Sequence, residues 1–238
     1  MKKWKYNIGI IFFVAVLVGF FVFSKQRNNK REVSSDGVQF VGEQNLFIAE
    51  NFINKMLIET PTNGGLLSKD ILNLKLVEQK IKKQKHVKDA QVYVSVNGVV
   101  GANVVQRTPI VRVFSAVSFY LDAEGFEMPL SSNYTMRVPL VYNYTAEHKS
   151  DLLALVKYIN GDKFLTELIV GINCLQGNDF LLTLRDHEFA VKLGGVSEQK
   201  LKFDNLKAFY TKAKKDKLFD KYKYVNLEIA NQVICTKV

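Results

Sequence analysis

Metal-binding residues are scarce in this chain. Its three histidines, His86, His148 and His187, fall on different segments, and Cys174 and Cys235 are far apart. None of them has the spacing of a zinc site. A Gly-rich phosphate loop and a dinucleotide fingerprint are also missing, as are internal repeats and low-complexity tracts. These absences leave no cofactor, metal or small-molecule substrate to predict. Two isolated strand cysteines are more often buried and free than paired, although an oxidising compartment keeps a disulfide open.

Hydrophobic residues make up 47% of the chain, which points to a membrane-attached or globular protein rather than a disordered one. Its 238 residues suffice for one large domain or two small ones. Net charge is +10; Lys2, Lys3 and Lys5 supply three of these, so residues 6–238 carry +7. With acidic residues interspersed, this field suits solubility beside an anionic membrane or polymer and argues against nucleic acid as the partner.

The longest uncharged run is YNIGIIFFVAVLVGFFVF, Tyr6 to Phe23, between KKWK and KQRNNKR. At about 1.5 Å per residue it makes a helix roughly 27 Å long, close to the ~30 Å of a hydrocarbon core. Trp4 and Tyr6 take the interfacial positions. The run ends in GFFVFSK without a small-x-small cleavage site, which favours an uncleaved anchor over a signal peptide. Basic residues flank both ends, so charge alone does not orient the span.

Gln26 to Asp36 reads as a polar tether. From Val38 a strand leads to AENFINKMLIE, where Phe52, Ile53, Met56 and Leu57 recur at helical spacing. TPTNGG breaks the chain, and SKDILNLKLVEQKIKKQ follows as a second helix with Leu74, Val77 and Ile81 on one side. Two strands, DAQVYVSV and GANVVQRTPI, then meet at Asn97-Gly98, a hairpin signal. In the second half SFYLDAEGFEMPLS predicts a hairpin. HKSDLLALVKYING predicts a helix burying Leu152, Leu155, Val156 and Ile159. FLTELIVGINCL, DFLLTLRD and HEFAVKLG predict three strands, and a lysine-rich helix runs from Ser197 to about Lys215 with Leu206, Phe209, Tyr210 and Ala213 inward.

The chain closes on YKYVNLEIANQVICTKV. From Tyr224 to Cys235 the odd positions are apolar except Asn231 and the even ones mostly polar, which predicts one half-buried strand with Asn226, Glu228, Ala230 and Gln232 on the solvent side. A strand at a sheet edge needs a partner or a guard.

Little else suggests chemistry. RDHE, Arg185 to Glu188, lies between strands and has turn composition. Asp122 and Glu124 sit two apart in a hairpin beside Gly125, unlike a pair of catalytic carboxylates. Nine lysines between Lys200 and Lys223, diluted by Asp204, Asp216 and Asp220, read first as a solvated helix face and second as contact with an anionic membrane or acidic partner.

Several stretches resemble one family in order. VEQKIKKQKHVKDAQVYVSVNGVVGANVVQRTPIVRV resembles the POTRA domain of the FtsQ/DivIB cell-division proteins. SFYLDAEGFEMPLS is similar to the "Y-x-D-x-x-G-x-x-x-P" hairpin that opens their β domain, RDHEFAVKLGG to the strand before their last helix, and YKYVNLEIANQ to their "x-V-D-L-R" segment. QRTPI and MPLS are similar to the Bacteroidetes branch. Asn226 and Glu228 replace the Asp and Arg of "D-L-R", so any salt bridge made by that Arg is absent or inverted here.

The resemblance implies an α+β fold with a single N-terminal transmembrane helix. A POTRA domain (strand-helix-helix-strand-strand) follows, then a mainly antiparallel β domain with flanking helices. The implied divisions are a cytoplasmic tail over 1–5, the span over 6–23, a juxtamembrane linker over 24–36, the POTRA domain over 37–112 and the β domain over 113–238. It implies a non-enzymatic divisome scaffold of the inner membrane and septum, with its folded part periplasmic, that links early and late division proteins. The expected partners are FtsB- and FtsL-like coiled-coil proteins, bound through strand addition at the last strand, and other divisome proteins at the POTRA domain. Tyr224, Asn226, Glu228, Ile229, Ala230, Asn231 and Gln232 are the expected contacts, with Ile229 assigned to the core by parity and to the partner by the resemblance. The alternatives are an anchored envelope hydrolase or transpeptidase, for which no nucleophile and base converge, and a client-binding assembly protein with tandem POTRA repeats, of which none is seen.

Overall fold

A computed structural model describes residues 2–29, 34–41, 47–58, 74–95 and 99–238. The chain divides into two compact units, Met1–Gln106 and Arg107–Val238.

In the first unit α1 (Lys2–Asn29) carries the long apolar run, and its side chains from Ile10 to Phe23 are exposed. It is a candidate span: one helix long and apolar enough to cross a membrane. The helix reaches Asn29 and β1 (Ser34–Phe40) follows, so the described parts of the predicted tether, 26–29 and 34–36, are helical and extended; Arg27 in the last turn is a cation of the sign favoured near a helix C-terminus. Next come α2 (Glu50–Ile58), α3 (Leu74–Lys82), β2 (Val87–Val94) and β3 (Val99–Gln106). The order is strand, helix, helix, strand, strand. β3 is central, parallel to β1 and antiparallel to β2. Ile53 and Leu57 of α2 and Val77 and Ile81 of α3 are buried against Ala102 and Val104 of β3 in one core, while Phe52 is half exposed. The TPTNGG break, the start of the second predicted helix and the Asn97-Gly98 turn lie outside the described residues.

The predicted strand GANVVQRTPI is two strands. β3 ends at Gln106, and β4 (Pro109–Val113) belongs to a different sheet in the second unit. Arg107 forces the break: its Nη1 donates to Asp122 Oδ2 at 2.7 Å, its guanidinium lies 4.2 Å over the Phe126 ring, and Pro109 has no N–H to continue a ladder.

The second unit continues with β5 (Phe119–Asp122), β6 (Glu127–Pro129), β7 (Leu140–Tyr142), α4 (Lys149–Asn160), α5 (Lys163–Leu168), β8 (Ile169–Cys174), β9 (Phe180–Leu184), β10 (Ala190–Gly194), α6 (Gln199–Asp216), β11 (Tyr222–Asn226) and β12 (Ile234–Lys237). Its nine-stranded sheet has the order β12-β11-β10-β9-β8-β7-β4-β5-β6. The sheet is mixed: β4–β7, β7–β8 and β10–β11 are parallel, and the other five neighbours are antiparallel. Leu152, Leu155, Val156 and Ile159 of α4 and Phe203 and Leu206 of α6 fill one core against Ile172, Leu182, Val191 and Val225.

The predicted β5–β6 hairpin forms around Asp122. Its Oδ1 accepts the Glu124 and Phe126 N–H groups at 3.0 and 2.7 Å while Oδ2 takes Arg107. Gly125 turns the chain at φ +79°, with Lys149 and Leu153 filling the space a side chain would need. FLTELIVGINCL is not one strand. Its first half is α5, because Asp162 caps a helix by accepting the Leu165 N–H at 3.2 Å, and only Ile169–Cys174 is extended. RDHE forms the turn expected of it, with Asp186 at φ +59°.

Candidate partner-binding site

The predicted single terminal strand is a hairpin. β11 runs to Asn226, the chain turns through Leu227–Val233, and β12 returns antiparallel to β11. Alternation therefore stops at Asn226, where side chain and backbone interlock locally. Asn226 Oδ1 accepts the Glu228 N–H at 2.7 Å, and Asn226 Nδ2 donates to Glu228 Oε2 at 2.8 Å. The Gln232 N–H donates to the Ile229 carbonyl at 3.2 Å, and Asn205 Nδ2 of α6 ties the turn down by donating to the Ala230 carbonyl at 2.6 Å.

This geometry reassigns the predicted contacts. Tyr224 and Asn226 lie on β11, whose backbone is paired on both sides, parallel to β10 and antiparallel to β12. Ala230, expected in solvent, is buried. Ile229, whose parity assigned it to the core, is 54% exposed because the turn ends that parity. Glu228, Asn231 and Gln232 are exposed in the turn. Gly194 sits at φ +67°, a conformation that favours glycine, and a Cβ there would come within 2.9 Å of the Glu228 Cγ, so its lack of a side chain suits the close packing of the turn.

β12, paired with β11 on one side only, is one end of the sheet order. Ile234 and Thr236 share a face with Asn226 and Tyr224, and Cys235 lies beside Val225 on the helix-covered face. The edge is short, four residues, and carries Lys237. Against the helix-covered face, a groove of about 340 Å³ separates β12 from α6. Phe209, Ala213, Tyr222, Val233 and Cys235 give it an apolar lining, and Lys212 adds a cation. An apolar slot beside free backbone donors and acceptors suits an added strand, which places alternate side chains in the slot and in solvent. The opposite end of the sheet is β6, three residues closed by Pro129, and proline blunts an edge.

The lysine-rich helix is not uniformly solvated. Lys202 is buried, and its Nζ donates to the carbonyls of Leu193 and Gly195 at 3.0 and 2.8 Å. Burial pushes its pKa down, opposed by Glu198, Asp179 and Glu228. Lys207 is bonded to Asp162, whose carboxyl it holds below the ordinary range.

Cys174 and Cys235 are free thiols. Burial pushes Cys174 up to about 11 and raises Cys235 as well. Among the described residues no group of histidines, cysteines and carboxylates is placed to hold a metal.

Alternation from Tyr224 to Cys235 predicts a single strand, so it does not reveal that Ile234–Lys237 form a separate edge strand. Asn231, the polar residue among the apolar odd positions, is the one sequence signal of the turn. Phe209 and Ala213 were legible as the inward face of α6, but not the slot beside them.

A family model described as FtsQ/DivIB, C-terminal related matches residues 108–236, more than half of the chain and nearly all of the second unit. Comparison with curated proteins returns no match.

Proposed function

We propose that this chain, which belongs to the FtsQ/DivIB C-terminal related family, is a non-enzymatic scaffold that binds a partner of the division machinery by strand addition at β12. Family membership carries the cell-division role. The free edge beside an apolar slot is the observation that favours β12 as the docking strand. The partner is an extended segment of an FtsB- or FtsL-like coiled-coil protein. Its backbone pairs with Ile234–Lys237, one apolar side chain enters the slot lined by Phe209 and Val233, and an acidic neighbour meets Lys212. Ile229, Glu228 and Gln232 lie in the exposed turn and supply side-chain contacts. Tyr224 and Asn226 contribute only through side chains, and Ala230 only as part of the turn. In this reading α1 spans the inner membrane with its N-terminus cytoplasmic, the folded units are periplasmic, and the first unit is a POTRA domain that contacts other divisome proteins. The enzyme and client-binding alternatives find no specific observation in their favour.

Photo-crosslinking in dividing cells tests the assignment, with probes at Thr236, Ile234 and Ile229 and a control at Glu127 on the opposite edge. Capture of one small coiled-coil membrane protein from the β12 probes, and not from the control, supports it. Silence at Thr236 and Ile234 in a septal, expressed protein rules out β12 as the docking strand. Capture of many unrelated chains favours client binding instead.

A further inference from the structure

A second groove, of about 510 Å³, lies within the second unit at the starts of β4, β7 and β8. β10 and β11 stand between its nearest strand, β9, and the edge at β12. Pro109, Ile110, Val138, Leu140 and Ile169 give it an apolar floor. Its charges are of one sign: Arg137 and Arg185 line it, and no acid does among the described residues.

Arg185 is fixed from two sides. Its backbone N–H donates to the Leu168 carbonyl at 2.7 Å and its Nε to the Glu167 carbonyl at 2.8 Å. Both Nη groups are left without a bond among the described residues, and Arg137 makes no hydrogen bond or ion pair among them. A third guanidinium adjoins the groove. Arg112 is the register partner of Leu140, and its Nε is buried without an acceptor, which is rare in a folded protein. The acids closest in sequence and register are engaged elsewhere. Asp162 is bonded to Lys207, Glu167 faces Lys163 at 3.9 Å, and Asp122, opposite Pro109, accepts from Arg107. Asp186 follows Arg185 in the turn, where its charge acts on His187.

We propose that this groove binds an acidic segment of a partner polypeptide, with an aliphatic side chain on the apolar floor and carboxylates on Arg137 and Arg185. Three features select that occupant. Guanidinium forks match planar carboxylates in pairs of parallel bonds. The floor offers an aliphatic side chain a dry surface. No aromatic ring lines the groove among the described residues, so a ligand that binds by ring stacking finds no platform. β7 and β9 flank β8, so the strands next to Arg137 and Arg185 are about 10 Å apart, roughly three residues of extended chain. The two acids of the segment therefore stand about three positions from each other.

The full chain in neutral detergent micelles is titrated with a labelled peptide, Gly-Glu-Val-Ile-Glu-Gly, blocked at both ends, and with its Gln counterpart, Gly-Gln-Val-Ile-Gln-Gly. Fluorescence anisotropy reads affinity and hydrogen exchange reads the site. The Glu peptide is expected to bind about tenfold more tightly or better, the worth of a hydrogen bond to a charged group, and to slow exchange at residues 137–140 and 184–186. Arg137→Ala removes no bond of the folded chain and should weaken binding by a similar factor. Arg185→Lys keeps the charge, loses the fork and should weaken it too. Equal or absent binding of the two peptides overturns the proposal, as does unaltered affinity in both variants or protection confined to other segments. Displacement of the Glu peptide by an equal concentration of glycerol phosphate would assign the groove to phosphate headgroups and overturn it as well.

Discussion

His187 shows how one residue in a turn acquires a pH-dependent role in stability. Its ring lies 4.4 Å from Phe219, 5.3 Å from Phe189 and 5.4 Å from Tyr210, and its Nε2 is 3.0 Å from the Tyr210 hydroxyl. Burial lowers its pKa below the ordinary 6.5, and Asp186 and Asp220 oppose that shift. A lowered folded value means that the unfolded chain takes the proton first. The stabilising contribution is therefore complete above about pH 6.5 and is lost as pH falls through the folded value. His187→Phe is expected to flatten the dependence of the urea midpoint on pH between about 5 and 7, while leaving the midpoint at neutral pH nearly unchanged. A parallel slope in the two proteins would assign the acid sensitivity to another group. RDHE was legible as a turn from its polar composition, but the ring cage was not, because Tyr210 and Phe219 come from segments distant in sequence. Asp122 is similar: the hairpin was legible, its Arg107 partner was not.

At the scale of elements, alternation and helical spacing reported burial well and junctions poorly. The helix over Lys149–Asn160 buries the four residues its spacing predicts. Phe164, Leu165 and Leu168 read as strand residues, yet a single capping aspartate makes that stretch helical. The closing segment failed for a related reason. A period of two persists by chance through Leu227, Ile229 and Val233, although the Asn226–Glu228 interlock has already turned the chain. Because α6 holds that turn through Asn205, Asn205→Ala is expected to cost about 1 kcal/mol. Exchange should accelerate at residues 228–233 without a change at β8 and β9. An Asn205→Ala chain with unaltered exchange at the turn would mean that Gly194 packing alone positions it. With β12 as the proposed docking strand, affinity for that partner strand should fall with the same substitution, since the turn sets where β12 begins.

For the molecule as a whole, the decisive feature is that its apolar residues form two cores with no member in common. One gathers Ile53, Leu57, Val77, Ile81 and Val104; the other gathers Leu155, Ile172, Leu182, Val191 and Phe203. Sequence reasoning anticipated two α+β halves from the change in element order, but it ran β3 and β4 together. The strands are separated by only Arg107 and Thr108, and their shared apolar character hides that they serve different sheets. Substitutions far apart with no shared partners act independently, so each core should respond alone. Ile81→Ala and Leu155→Ala each remove a fully buried side chain and should cost about 2–5 kcal/mol. Hydrogen exchange read by mass spectrometry separates the two effects. Ile81→Ala is expected to accelerate exchange in β2 and β3 and leave β8 and β9 as they were; Leu155→Ala is expected to do the reverse. Acceleration of both sheets by either substitution would mean that the chain unfolds as one cooperative body. In that case the two units would not respond separately. Independent responses would make each unit its own cooperative body.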